Sequence, residues 1–155
     1  MPLEEYQRKR KFAETPEPSG REHAHAEGHS FVVQKHDATR LHYDFMLEWN
    51  GVLLSWAVPI GPSLNPRDKR LAVRTEDHPL DYATFEGIIP EGNYGAGTVI
   101  VWDRGTWELE GKGTADEQIA RGDLKFRVEG RKLHGSFALV HTGRRSDDPK
   151  QQKNW

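Results

Sequence analysis

Residues 41–58 read Leu-His-Tyr-Asp-Phe-Met-Leu-Glu-Trp-Asn-Gly-Val-Leu-Leu-Ser-Trp-Ala-Val. Asn-Gly between two apolar runs is the strongest short-range signal for a β-hairpin. Strands are therefore expected over Leu41–Trp49 and Val52–Val58. Successive strand residues point to opposite faces, so Leu41, Tyr43, Phe45 and Leu47 share one face and read as core. Arg40, His42, Asp44, Met46 and Glu48 share the other, which is polar except for Met46. A two-residue turn sets Trp49 opposite Val52, which puts Met46 opposite Ser55 and Asp44 opposite Ala57. The small partners leave room above His42 and Asp44, where a solvated sheet face would carry long polar side chains. That vacancy points to a pocket.

Outward from the hairpin, further strands are expected over Ser30–Lys35, Arg70–Glu76, Thr98–Asp103, Thr106–Glu110, Leu124–Glu129 and Leu133–His141. Each is short, rich in β-branched or aromatic residues and mostly bounded by turn formers. Asp103-Arg104-Gly105 suggests a second hairpin, with Gly105 at positive φ. Only Ala115–Arg121 reads as helix, with Thr114 as N-cap and Glu117 completing a capping box. Gly92, Gly95 and Gly97 read as a tight turn or bulge, since no Gly-Lys-Ser/Thr follows and the next element is a strand. The fold class expected is all-β: a small antiparallel β-barrel with one or two short helices and mobile termini.

The chain has 155 residues, enough for one domain. Only 35% are hydrophobic, and the deficit is uneven. Residues 1–28 hold charges, Pro16, Pro18 and Gly20, with too few apolar groups to offset ordering entropy, and read as a flexible arm. Residues 29–142 form the barrel, and 143–155 read as a tail. Lys plus Arg number 22 and Asp plus Glu 24, for a net charge of −2. This disfavours nonspecific coating of duplex DNA, which needs a basic excess. The absence of Cys excludes disulfides, a thiolate zinc site and a cysteine nucleophile. Met1-Pro2-Leu3-Glu4-Glu5 lacks a secretory pattern and no stretch suits a bilayer, so a cytoplasmic protein without membrane contact is expected.

Of eight histidines, His23, His25 and His29 fall in or beside the arm, and His134 and His141 flank an apolar strand. His36, His42 and His78 stand apart, each near an aspartate (Asp37, Asp44 and Asp77). Two imidazoles and a carboxylate can hold Mn, Fe or Zn with open positions. Spacing alone equally allows hydrogen-bonded histidines on a solvated sheet.

The joint pattern narrows this. Phe31-Val32-Val33-Gln34-Lys35-His36-Asp37, Arg40-Leu41-His42-Tyr43-Asp44-Phe45, Ser55-Trp56-Ala57-Val58-Pro59, Lys69-Arg70-Leu71-Ala72-Val73 and Glu76-Asp77-His78-Pro79 together resemble the 3′-phosphoesterase domain of bacterial and archaeal DNA ligase D. So do Phe85-Glu86-Gly87, Ile89-Pro90-Glu91-Gly92 and Trp102-Asp103-Arg104-Gly105-Thr106-Trp107. The resemblance runs from about 30 to 142. It implies a Mn2+-dependent enzyme (other divalent transition metals being alternatives) that removes a 3′-terminal ribonucleoside from a primer–template and then the 3′-phosphate, leaving a 3′-OH. It implies metal ligands at His36, Asp44 and His78, catalytic groups at His42, Arg70 and Tyr82, and substrate contacts from Gln34, Arg40 and Arg74. Ligase and polymerase modules and an end-bridging protein are the implied partners of this stand-alone or excised domain.

Two departures stand out. Met46 replaces a family Arg and Ile60 a family Lys. A charge-assisted hydrogen bond contributes roughly 1.5–3 kcal/mol, about 10- to 100-fold if realised only in the transition state, so an attenuated enzyme is expected. The alternative is a noncatalytic nucleic-acid end-binding module of the same fold. The resemblance also implies a short apolar strand beyond Trp155, absent from this sequence.

Overall fold

The structure is a computed structural model that describes residues 3–20 and 28–155. The chain order is α1 (Glu4–Arg8), β1 (Ser30–Asp37), β2 (Leu41–Trp49), β3 (Val52–Val58), β4 (Val73–Arg74), β5 (His78–Pro79), a 3-10 turn (Leu80–Thr84), β6 (Gly87–Ile89), β7 (Gly97–Leu109), α2 (Ala115–Arg121), β8 (Asp123–Gly130) and β9 (His134–Val140). The strands make one antiparallel sheet in the order β4-β3-β2-β1-β7-β8-β9, with β5 added to β3 and β6 to β7. The sheet curls into a half-barrel. Phe45 on β2 lies 5.7 Å from Phe126 on β8, although β1 and β7 separate their strands.

The 41–58 hairpin forms with the expected register: Trp49 pairs with Val52, Met46 with Ser55 and Asp44 with Ala57. Asn50 and Gly51 both take positive φ (53° and 84°), as the tight turn that matches strand twist requires. The inner face carries Phe31, Val33, Phe45, Leu47, Leu54, Trp56, Trp107 and Phe126. Leu41, expected with them, lies at the strand end and is exposed. The opposite face is half apolar, with Val32, Met46, Leu53 and Val99 covered by Tyr6, Tyr82, Phe85 and Ile89. Farther along the same face lie His36, His42 and Asp44. The helix Ala115–Arg121 forms as read, with the Thr114–Glu117 capping box and Gly122 as left-handed C-cap.

Three expectations need correction. The segment read as two strands joined at Asp103-Arg104-Gly105 is a single strand, β7, and Gly105 does not take a positive φ. The discontinuity is a bulge: Val33 pairs with Asp103 and Gln34 with Val101, leaving Trp102 as the extra residue. Gly105 is needed because a Cβ there would sit 1.9 Å from the Glu129 carbonyl oxygen. The strand expected over Arg70–Glu76 contracts to Val73–Arg74.

The terminal segments also bury more than their composition suggests. Leu3 and Tyr6 are fully buried and the Tyr6 hydroxyl donates to the Pro18 carbonyl. Two well-placed apolar side chains and a buried ion network offset the ordering entropy that average composition appeared unable to meet. At the other end, Trp155 and Ala72 exchange backbone hydrogen bonds (2.7 and 3.0 Å). The Trp155 ring meets Trp56 at 5.8 Å and stacks on His141 at 4.7 Å. His29 packs against Trp107 at 5.3 Å. His23 and His25 lie outside the described residues.

The bulge turns Asp103 inward. Its carboxylate accepts from the backbone N–H groups of Arg104 (2.9 Å), Arg131 (2.8 Å), Lys132 (3.2 Å) and Leu133 (2.8 Å), and so holds the β8–β9 turn against β7. Asp103→Ala orphans these donors and should lower the unfolding free energy by about 3 kcal/mol, read as a lower urea midpoint at unchanged m-value.

Candidate active site

The β1–β2 register places His36 directly opposite His42, with their rings 4.7 Å apart. Both belong to the face that carries Asp44. His36 Nδ1 lies 3.5 Å from Asp44 Oδ2, and His42 Nε2 lies 3.3 Å from Asp44 Oδ1. One ligand atom from each of the three falls within 4.8 Å of the others.

Backbone carbonyls set the tautomers. His36 Nε2 lies 2.6 Å from Gly95 O, and His42 Nδ1 lies 3.0 Å from Arg40 O. A carbonyl oxygen only accepts, so each of these nitrogens carries its proton. The other nitrogen of each ring therefore faces Asp44 with a lone pair. Lone pairs from two neutral imidazoles and a carboxylate oxygen repel unless a hydrogen-bond donor or a cation sits among them. Either an added proton or a metal ion meets that need. The donor set, two imidazoles and one carboxylate with carbonyls orienting the rings, fits Mn, Fe or Zn.

The electrostatics agree. Burial acts to raise the Asp44 pKa, but with the added proton in place the hydrogen bonds to His36 and His42 and the nearby positive charge outweigh it, and the carboxyl is held well below the usual range. Burial acts to lower the His42 pKa, but the Asp44 hydrogen bond and charge and the Arg40 carbonyl raise it above its ordinary 6.5.

His78 does not join this group. Its Nδ1 donates to Glu76 O at 2.9 Å, and its Nε2 faces Arg10 at 3.4 Å. Burial first, then the Arg10 charge, push its pKa down. His78 is thus a neutral imidazole with Nε2 turned into the same cavity, a space of about 270 Å³ lined by His36, His42, Asp44, His78, Tyr82 and Arg10 among others.

Arg10 was absent from the residues singled out in the sequence, as were Glu17 and Glu76. The Arg10 guanidinium bonds Glu17 Oε2 at 2.8 Å and Glu76 Oε1 at 2.9 Å, with side-chain exposures of only 5%, 1% and 2% for the three. Glu17 also accepts from the Tyr82 hydroxyl at 2.7 Å. Burial, then the Glu17 charge, push the Tyr82 pKa far up, so it stays a hydrogen-bond donor. The signal for Arg10 was hidden because a Lys/Arg/Glu-rich segment ordinarily reads as solvated.

The other expected residues scatter. Gln34 is buried behind the site, where its Nε2 donates to the carbonyls of Tyr82 (2.7 Å) and Phe85 (3.2 Å) and fixes the 3-10 turn. Arg74 pairs with Asp77 at 3.5 Å and lies over Trp56. Arg70 pairs with Asp68 at 3.2 Å and lines a different cleft, apolar and bounded by Phe45, Phe137 and Trp155. Neither lines the site cavity. Arg40 borders a groove beside it. Met46 is fully buried and is not a cavity residue. The aspartates expected beside the histidines also change partners. His36 meets Asp44 and not Asp37, and Asp77 serves Arg74.

A curled antiparallel sheet that gathers an imidazole–carboxylate cluster and a buried guanidinium in one cavity defines a compact β protein with a polar, charge-lined site. The sequence profile described as the DNA Ligase D 3′-phosphoesterase domain matches residues 34–141. The chain is 55% identical over 157 residues to the multifunctional non-homologous end joining protein LigD of Pseudomonas aeruginosa, covering 99% of this chain and 18% of that protein. It is 45% identical over 141 residues to the Mycobacterium tuberculosis LigD (90% and 18%) and 40% over 159 residues to the Mycolicibacterium smegmatis protein (99% and 20%). The chain belongs to the DNA ligase D 3′-phosphoesterase domain family, and it spans about a fifth of the length of these relatives. No helix among the described residues is long and apolar enough to cross a membrane.

Two predictions follow from the geometry. In Mn2+ or Zn2+ titrations followed by calorimetry, His36→Ala, His42→Ala and Asp44→Ala should each abolish measurable binding, whereas His78→Ala should retain it. Glu76 is held below its ordinary 4.5: burial opposes, but the charge that His78 takes up on acidification and the charge of Arg10 outweigh it. Its folded pKa is depressed, so its contribution is complete above the unfolded pKa and is lost as pH falls through the folded value. Glu76→Gln should therefore flatten the loss of stability on acidification below about pH 4.5.

Proposed function

We propose that this chain is a Mn2+-dependent 3′-end-processing phosphoesterase. It removes a 3′-terminal ribonucleoside from a DNA primer strand to leave a 3′-phosphate, and then removes that phosphate to leave a 3′-OH for ligation. The observation that carries this reading is the convergence on one cavity of the His36–His42–Asp44 group, the unprotonated Nε2 of His78 and the Arg10 guanidinium that faces it. Family membership supports the phosphoesterase class. The multifunctional non-homologous end joining relatives support a setting beside other modules of an end-joining protein; ligase and polymerase modules and an end-bridging protein are the partners this reading adds.

His36, His42 and Asp44 would hold the metal, and His78, a ligand in the sequence reading, takes the proton-transfer part, while His42, a catalytic group in that reading, becomes a ligand. A bound divalent ion polarises a phosphoryl oxygen and acidifies water. Arg10, fixed by two buried carboxylates, presents donors to the other phosphoryl oxygens as negative charge shifts on to them. Neutral His78 accepts a proton at Nε2 from the attacking water. Tyr82, held protonated, keeps Glu17 and hence Arg10 in place. Arg10 thus brings to the cavity a guanidinium of the kind that Met46 lacks, which offsets the attenuation expected from Met46. The cost of Ile60, which is exposed and outside the cavity, falls on strand binding.

An internally labelled primer–template with one 3′-ribonucleotide, incubated with Mn2+, Mg2+, Zn2+ or chelator, tests this. Mn2+-dependent conversion to a 3′-phosphate and then a 3′-OH is expected. Tight binding without product would replace the enzyme with an end-binding module. Arg10→Ala should lower kcat/KM by about 10- to 100-fold, the worth of one charge-assisted hydrogen bond in the transition state, with Arg10→Lys recovering part of it.

A further inference from the structure

We propose that the groove between the β1–β2 turn and the Gly92–Ala96 loop is the subsite for the single ribonucleoside that is cut from the 3′ end. This rests on the phosphoesterase reading above and says where its leaving group lies.

The groove has a volume of about 540 Å³ and is lined by Ala38, Thr39, Arg40, His42, Gly92, Asn93, Gly95 and Ala96. It shares His42 and Gly95 with the site cavity, so a ligand seated in it abuts the His36–His42–Asp44 group. Arg10, Glu17, Glu76 and Tyr82 line the cavity but not the groove, and are buried and paired with one another. The volume lies within the range of small-molecule sites, roughly 300–1,000 Å³.

Turn and loop are clamped together at their base. A Cβ on Gly97 would lie 2.2 Å from the Asp37 carbonyl oxygen and 2.9 Å from the Ala38 Cα. The groove is therefore preformed. Its walls are small residues and backbone. A polynucleotide strand needs successive cations along its phosphates, and Arg40 is the one cation among the lining side chains apart from the titratable His42. A nucleoside leaving group carries no phosphate once the P–O5′ bond breaks, because water adds its oxygen to phosphorus and the nucleoside departs with a 5′-hydroxyl. The groove also offers polar atoms suited to ribose hydroxyls. Among the described residues, neither the Thr39 hydroxyl nor Asn93 Oδ1 has a hydrogen-bond partner, while Asn93 Nδ2 is tied to Pro90 O at 3.3 Å.

The loop reaches the metal-binding group as well as the groove. The Gly95 carbonyl that orients His36 belongs to the groove wall, and a Cβ on Gly95 would stand 3.3 Å from His36 Cε1. A nucleoside seated against Gly95 would therefore press on the backbone that holds a metal ligand in place.

The test uses the full chain with Mn2+ and two primer–templates, one ending in a ribonucleotide and one in a 3′-phosphate. Thr39→Trp and Ala38→Trp fill the groove. Each should lower the ratio of nucleoside release to phosphate release about tenfold or more, with thermal melts establishing that the variants fold. Titration of the isotope-labelled, metal-free chain with adenosine should shift the amides of Gly92, Asn93, Gly95 and Ala96, and Thr39→Trp should abolish those shifts. Equal loss of both activities, an unchanged ratio, or shifts confined to other residues would overturn the subsite. Failure of the parent chain to cut either substrate would instead overturn the phosphoesterase reading on which it rests.

Discussion

The antiparallel register of β1, β2 and β3 is the constraint on which the site depends. It sets His36 across from His42, and Asp44 beside Ala57. A slip of one residue would turn His36 or Asp44 to the opposite face and carry core side chains into water. Burial of Phe31, Val33, Phe45, Leu47, Leu54 and Trp56 on the inner face therefore holds the register, and the register in turn holds the imidazole–carboxylate geometry. The lone pairs gathered around Asp44 call for a hydrogen-bond donor or a cation between them. The hydrophobic core supplies the force that keeps those groups together.

The outer face is divided along its length. Near the hairpin turn, Val32, Met46 and Leu53 form a second apolar layer beneath Tyr6, Tyr82 and Phe85. Toward the other end the same face becomes polar and carries His36, His42 and Asp44. The second layer docks the N-terminal segment and the 3-10 turn, and these deliver Arg10, Glu17 and Tyr82 to the cavity. A fully buried Met46 has its role here, in anchoring the elements that bring in the guanidinium. Buried Arg10 and its two carboxylates would be costly singly; mutual pairing at 2.8 and 2.9 Å removes most of that cost.

Much of this was legible in the chain itself. The 41–58 hairpin, its register, the capped helix at Ala115 and the face shared by His42 and Asp44 all follow from local chemistry: an Asn-Gly turn, period-two alternation and a capping box. Asp103-Arg104-Gly105 carries the residue types of a hairpin loop, yet these residues pair regularly with β1 and the irregularity is the neighbouring bulge at Trp102. Only the pairing of β7 with both β1 and β8 distinguishes a bulged strand from a hairpin. Arg70 and Arg74 fell away because a cation's place depends on which loop it rides. Here those loops lead to Asp68 and Asp77.

By itself, then, the sequence determined the strands, the hairpin register and the face shared by His42 and Asp44, because those depend on neighbours a few residues apart. The tertiary structure alone decided that His42 and not His78 stands with His36 and Asp44, and that a charge-rich N-terminal segment enters the cavity. Those choices rest on contacts between residues tens of positions apart, such as Arg10 with Glu76 and Tyr82 with Glu17. Such contacts form only once the curled sheet has brought the segments together, and no local pattern encodes them.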